Sequence, residues 1–214
     1  MQRCDALGKI SDEPDRLTRT FLSPAMRRAN ELVGNWMREA GLAVREDAVC
    51  NLIGRSSSSR PKAKTLLLGS HLDTVRDAGK YDGPLGVLVA LACVEHLRAM
   101  RISLPFHVEI AGFADEEGVR YQSTYLGSRA LAGTLSERDL SRTDESGVAL
   151  RDSGIDDVRI ARRKRSDFIG YAEVHIEQGP VLEAEGLALG VVNAISGQTR
   201  ARVEFIGSAG HAGT

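Results

Sequence analysis

The chain has 214 residues, 42% of them hydrophobic, which suits one sizeable α/β domain or one domain plus a piece of another. Its 28 basic and 29 acidic side chains balance almost completely, which argues against a broad electrostatic surface for nucleic acid or anionic membrane and favours a small molecule recognised locally. Cys4, Cys50 and Cys93 lie far apart and form no CxxC pair, so neither a disulfide framework nor a thiolate zinc site is expected, and reduced thiols in a cytoplasmic protein are the simpler reading. Met1 to Arg19 is charged throughout and lacks the apolar core of a signal peptide, and no apolar run approaches the roughly 20 residues that span a bilayer.

In chain order, Ser23-Pro24 reads as a helix start, an N-cap followed by proline at the first helical position. Met26, Ala29, Leu32, Val33, Trp36 and Met37 then recur at helical spacing, and Gly41 supplies the stop. Val44 to Gly54 reads as a strand region, and Arg55 to Lys64 as a polar surface loop. Thr65 to Leu68 is a short apolar run ending at Gly69, as a buried strand should. From Pro84 to Met100 the apolar residues surround most of a helical axis, so that helix should be sandwiched in the core.

Pro105 to Ala114 alternates toward another strand, and Thr134 to Glu137 matches a capping box. The basic run Arg162 to Arg165 reads as a solvated patch. Tyr171 to Gln178 alternates, with Glu173, His175 and Glu177 on one face, and Thr199 to Ile206 reads as a further strand. The fold class expected is α/β, with a mixed or parallel central sheet covered by helices on both faces.

Open α/β sheets hold ligands outside the carboxyl ends of their strands. Gly69-Ser70-His71-Leu72-Asp73 and Asp115-Glu116-Glu117-Gly118 follow two of the expected strands, and His175 lies in a third. Asp82 precedes the buried helix and can reach the same crevice. Histidines and carboxylates gathered in this way are what a divalent-metal site of nitrogen and oxygen ligands requires. Asp73, two residues from His71, is better placed to accept the imidazole's second N–H than to bind the same ion. Each residue alone has a blander reading: a satisfied buried histidine for His71, a turn for Asp82-Gly83, solvated charge for Glu116-Glu117. Their joint placement at strand ends favours the metal site. His96, inside a helix, and His107, early in a strand, are expected to be structural.

The motifs GSHLDTV (69–75), AGKYDGPLGV (78–87), DEEGVRY (115–121), HIEQGPVLE (175–183) and GSAGHAGT (207–214), with DAVCNLIGR upstream, resemble one group of enzymes. These are the allantoate amidohydrolases, N-carbamoyl-L-amino-acid hydrolases and β-ureidopropionase, a branch of the aminoacylase and carboxypeptidase-like binuclear metallopeptidase family. The resemblance implies a zinc-exopeptidase-like catalytic domain over 1–194 and the start of an α+β lid or dimerisation domain over 195–214. It implies two divalent ions, zinc or else manganese, cobalt or nickel. Asp82 would bridge them, His71 and His175 would complete one ion, Glu117 would bind the other, and Glu116 would be the general base. His211 would stabilise the oxyanion from the lid, and Gln198 would sit near the substrate.

The expected activity is hydrolysis of a carbamoyl C–N bond in a small ureido or amide substrate, in a protein that dimerises through its lid. Alternatives are a dipeptidase or aminoacylase on the same scaffold, or an inactive fragment, because the second ion's further histidine and the substrate-carboxylate arginine would lie beyond residue 214. Two departures stand out. Lys80-Tyr81-Asp82-Gly83 replaces the GRG-type approach of the related peptidases, and Cys50 stands where glycine is expected.

Overall fold

A computed structural model describes the chain except for Pro61, Ser196, Gln198, Arg200, Arg202, Phe205, Ala209, Ala212 and Thr214. The chain divides into two compact units, Met1–Ile176 and Glu177–Thr214. In chain order the first unit holds α1 (Gln2–Gly8), α2 (Pro24–Glu39), β1 (Ala43–Glu46), β2 (Leu52–Ser56), β3 (Thr65–His71), α3 (Pro84–Ala99) and β4 (His107–Phe113). The short helices α4 (Leu126–Ala132), α5 (Glu137–Leu140) and α6 (Val158–Ala161) follow, and then β5 (Phe168–Ala172).

The five strands form one sheet in the order β1-β2-β4-β3-β5. β1, β2 and β4 pair antiparallel, whereas β4, β3 and β5 run parallel. The sheet is therefore mixed. Its main core packs α2 and α3 on one face through Met26, Val33, Met37, Val87 and Leu91 against Leu52, Val108 and Ile110. On the other face Ile53, Leu67, Ala111 and Phe113 meet Leu131 of α4 and Phe168. β4 is thus covered on both sides, and all seven of its residues are buried. The alternation in its sequence divides two buried faces, with Glu109 made tolerable by ion pairs to Arg55 and Arg163.

Helix α2 starts as expected: the Ser23 hydroxyl accepts from the Met26 N–H at 3.1 Å, and Pro24 needs no donor there. Four expectations change. The strand expected over 44–54 is two strands, separated by a turn in which the Asp47 carboxylate accepts from the N–H groups of Val49 and Asn51. Gly69 does not end β3, which continues to His71; a Cβ there would meet the Ala111 carbonyl at 2.8 Å, so glycine permits the close approach of β4. The capping box is made by Ser136 and Asp139 at the start of α5, two residues later than Thr134 would set it.

β5 begins at Phe168 and ends at Ala172, so His175 stands beyond the strand rather than within it. β5 takes its register from pairing with β3, Leu68 opposite Ala172, which side-chain alternation alone does not reveal.

Among the described residues the second unit holds one short helix, α7 (Val181–Ala184), whose first N–H groups, from Val181 and Leu182, donate to the Glu177 carboxylate at 3.0 and 2.9 Å. Within the strand expected over 199–206, Arg200, Arg202 and Phe205 lie outside the described residues, and the described ones belong to no strand. No helix among the described residues is long and apolar enough to cross a membrane.

Candidate metal centre

Parallel pairing aligns the carboxyl ends of β4, β3 and β5, with His71 opposite Phe113. Asp115, Glu116 and Glu117 leave β4 at that end, His175 follows β5, and the amino end of α3 returns there with Asp82 and Gly83. Gly83, the N-cap of α3, has φ +80°, and a Cβ on it would meet the His71 ring at 2.5 Å. Only glycine lets this backbone turn so close beside the imidazole. The crevice therefore follows from the topology, and its narrowness from one residue.

His71 is buried, and its Nδ1 lies 3.0 Å from the Asp73 main-chain carbonyl. A carbonyl can only accept, so Nδ1 carries the proton and Nε2 is left as the ligand atom. That Nε2 faces Asp82 Oδ1 at 3.8 Å. His175 repeats the arrangement: its Nδ1 donates to the Ile176 carbonyl at 2.9 Å, and its Nε2 lies 3.1 Å from Asp82 Oδ1. The two imidazoles stack with centroids 6.0 Å apart.

Ligand atoms of His71, Asp82 and His175 all lie within 4.8 Å of one another, as do those of His71, Glu116 and Glu117. Tetrahedral ligands bonded at roughly 2.0–2.2 Å sit about 3.3 Å apart, a separation that the two Asp82 distances bracket. The donor set thus fits a divalent ion, and His71 is common to both groups.

Asp73 acts differently from the sequence expectation. Its carboxylate is 3.7 Å from His71 Nδ1 and instead accepts the main-chain N–H groups of Glu116 and Glu117 at 3.2 and 3.1 Å. It is the main-chain oxygen of Asp73 that orients the imidazole. One residue consequently aligns the end of β3 with the turn after β4.

The concentration of carboxyls shows in their proton affinities. Burial pushes Glu116 up to about 7; the His71 charge pulls it down, and Glu117, Asp73 and Glu173 add to the rise. Burial likewise raises Glu117, Asp73 and, well above the usual carboxylate range, Asp115. Burial pulls His71 down, but its pairing with the Asp82 carboxylate and the charges of Asp73 and Glu116 prevail, and it rises to about 9. Carboxyls that resist ionisation beside an imidazole that resists deprotonation describe a site short of positive charge, which a divalent cation supplies.

Glu116 also lines a cleft of about 570 Å3 with Phe113, Tyr125, Leu131, Phe168 and Tyr171, a size suited to a small organic molecule. Of the other expected site residues, His211 belongs to the second unit, where its Nδ1 accepts from the Gly213 N–H at 3.0 Å. Gln198 lies outside the described residues. His107 is structural: its Nδ1 accepts from the Ser58 N–H at 2.9 Å. Sequence reasoning passed over Glu173, whose charge reaches Glu116 and whose carboxylate takes the Tyr171 hydroxyl at 2.6 Å. Its position two residues before His175 was the available signal.

The model of Peptidase family M20/M25/M40 matches residues 67–212 of this chain. The chain belongs to that family. As an M20/M25/M40 chain it is 47% identical to the allantoate deiminase of Arabidopsis thaliana, over 99% of its own length and 42% of the relative's. It is 42% identical to the N-carbamoyl-L-amino acid amidohydrolase of Geobacillus stearothermophilus, over 99% of its length and 54% of the relative's. The crystal structure of a hydantoinase/carbamoylase family amidase from Burkholderia ambifaria superposes with a TM-score of 0.79 at 36% identity, covering 86% of this chain and 46% of that one. The chain spans about half the length of the curated relatives it matches.

Proposed function

We propose that the natural protein is a metal-dependent amidohydrolase that cleaves the carbamoyl C–N bond of an N-carbamoyl amino acid or allantoate, releasing ammonia and carbon dioxide. The observation that carries this reading is the trio of His71, Asp82 and His175, with ligand atoms within 4.8 Å and both Nε2 atoms turned toward one carboxylate. The choice of substrate is supported by relatives named allantoate deiminase and N-carbamoyl-L-amino acid amidohydrolase.

His71, Asp82 and His175 would hold one divalent ion, Asp82 would be shared with a second, and Glu117 would bind that second ion. Bound divalent ions supply Lewis-acid polarisation of a carbonyl oxygen and acidify water. A nitrogen and oxygen donor set admits zinc, manganese, cobalt or nickel.

Glu116 takes a proton from the attacking water on a carboxylate oxygen and returns it to the leaving nitrogen as the C–N bond breaks. Without metal, burial holds the Glu116 carboxyl above the ordinary carboxylate range, which favours its keeping the proton between the two transfers. Asp73 keeps the Glu116 and Glu117 main chain in place during the exchange. By the family resemblance, His211 would donate an imidazole N–H to the developing oxyanion and Gln198 would contact the substrate. The reading includes a catalytic domain over 1–194, a lid beginning at 195, a homodimer formed through that lid, and a cytoplasmic location.

The test is ammonia release by the natural protein at full length, with Mn2+ or Zn2+ supplied. Turnover of N-carbamoyl amino acids or allantoate with dipeptides left intact is expected. Dipeptide cleavage without ammonia release from any ureido compound would contradict the proposal.

A further inference from the structure

Arg19 is the largest fully enclosed side chain in the described protein, and nothing in the proposed reaction uses it. A buried guanidinium is costly unless its N–H groups are occupied. Here Nε donates to the Leu72 carbonyl at 2.7 Å, and Nη1 donates to the carbonyls of Leu7 and Ile10 at 3.0 and 2.9 Å, while the buried Nη2 has no partner among the described residues. The main chain of Arg19 adds a reciprocal pair. Its N–H donates to Thr74 Oγ1 at 2.9 Å, and its carbonyl accepts the Thr74 N–H at 2.9 Å.

Leu72 and Thr74 flank Asp73, so both neighbours of that residue are tied to one arginine. Asp73 in turn orients the His71 ring through its carbonyl and the Glu116 and Glu117 main chain through its carboxylate. A shift of the 72–74 segment would therefore move ligands of both groups together. We propose that Arg19 is a positioning residue for the metal centre, fixing the 72–74 segment so that His71, Glu116 and Glu117 are held in register. The inference rests on the metal-binding reading above and adds to it a determinant far from the ligands in sequence.

The competing role is plain fold stabilisation, since the same guanidinium also ties the end of α1 and the residues after it to the segment that follows β3. The two roles separate when metal affinity is measured at matched stability. Three variants of the full chain are compared with wild type: Arg19→Lys keeps the charge but loses the fork, Thr74→Val removes the hydroxyl at nearly constant volume, and Val33→Ala thins the core between α2 and the sheet. Each is followed by urea unfolding and by calorimetric titration with Mn2+.

The expected result is a drop of about tenfold or more in Mn2+ affinity for Arg19→Lys and Thr74→Val, in the range found for groups that support metal ligands. Val33→Ala, at similar stability, keeps wild-type affinity. If Arg19→Lys does not fold, Thr74→Val decides alone. Wild-type affinity in the folded Arg19 and Thr74 variants overturns the inference, as does an equal loss in Val33→Ala. A wild-type chain that takes up no Mn2+ overturns the metal-binding reading itself, a result distinct from either.

Discussion

The two histidines facing Asp82 are held in opposite ways. His71 ends a central strand with its side chain 2% exposed, and its ring is fixed by the carbonyl of Asp73, itself anchored to the turn after β4. His175 lies past the end of an edge strand with its side chain 32% exposed, and its ring is fixed only by the carbonyl of the next residue. One half of the centre is part of the sheet, and the other is laid against it. On the metal-binding reading, the buried half would couple metal binding to folding, whereas the exposed half would couple to metal alone.

Substitutions should expose that asymmetry. His71→Ala and His175→Ala should each weaken Mn2+ or Zn2+ binding by more than about 100-fold, the upper end of what supporting groups alone contribute. Only His71→Ala should also lower the unfolding free energy, by about 2 kcal/mol, because it leaves a cavity beside buried polar groups. The exposed His175→Ala should stay within about 0.5 kcal/mol of wild type. Urea unfolding of the metal-free variants checks this; equal losses would erase the distinction between the two halves.

Next in size, Glu116→Gln in the natural protein should reduce turnover by about 10²- to 10⁴-fold while metal content stays unchanged, as expected for loss of a general base. Retained turnover would remove Glu116 from that role.

A pH series sharpens the same comparison. His71 rises to about 9 from an ordinary value of 6.5, and it must lose its proton to bind a cation. Metal affinity should therefore increase with pH, by up to about tenfold per unit, and level off near 9. The sign reverses for the metal-free fold. Protonated His71 stabilises it fully below about 6.5, and that contribution is lost as pH rises toward 9. Equilibrium unfolding with and without Mn2+ reads both slopes, and parallel slopes would show that His71 is not the group titrating.

The smallest effect concerns Cys50, the residue found where glycine is expected. Its φ is +65°, and its N–H donates to the Asp47 carbonyl at 3.0 Å, so the position is a left-handed turn. Cys50→Gly should change stability by less than about 1 kcal/mol, relief of strain offsetting added chain entropy. Cys50→Val should cost about 1–2 kcal/mol, because a branched Cβ is worst there.

Much of this was legible in the sequence, and for physical reasons. The cap at Ser23-Pro24 and the apolar periods of α2 and α3 are local signals, so both helices emerged with nearly correct bounds. His71, Asp82, Glu116, Glu117 and His175 could be grouped because glycine, histidine and carboxylates cluster where strands end. What stayed hidden depends on pairing between distant segments. The length of β3 beyond Gly69 and the early end of β5 are set by neighbouring strands. The work of the Asp73 carboxylate was equally hidden, since its partners are main-chain N–H groups on another strand's turn. Arg19 carries no motif at all; only its complete burial draws notice.

The central claim is that one crevice brings His71, Asp82 and His175 onto a single cation, with Glu116 and Glu117 beside it. Anomalous diffraction from crystals grown with Mn2+ or Zn2+ tests it most directly. A peak at bonding distance from His71 Nε2, His175 Nε2 and an Asp82 carboxylate oxygen is the result expected. Ordered metal bound elsewhere, with those three side chains engaging only one another, would contradict the account.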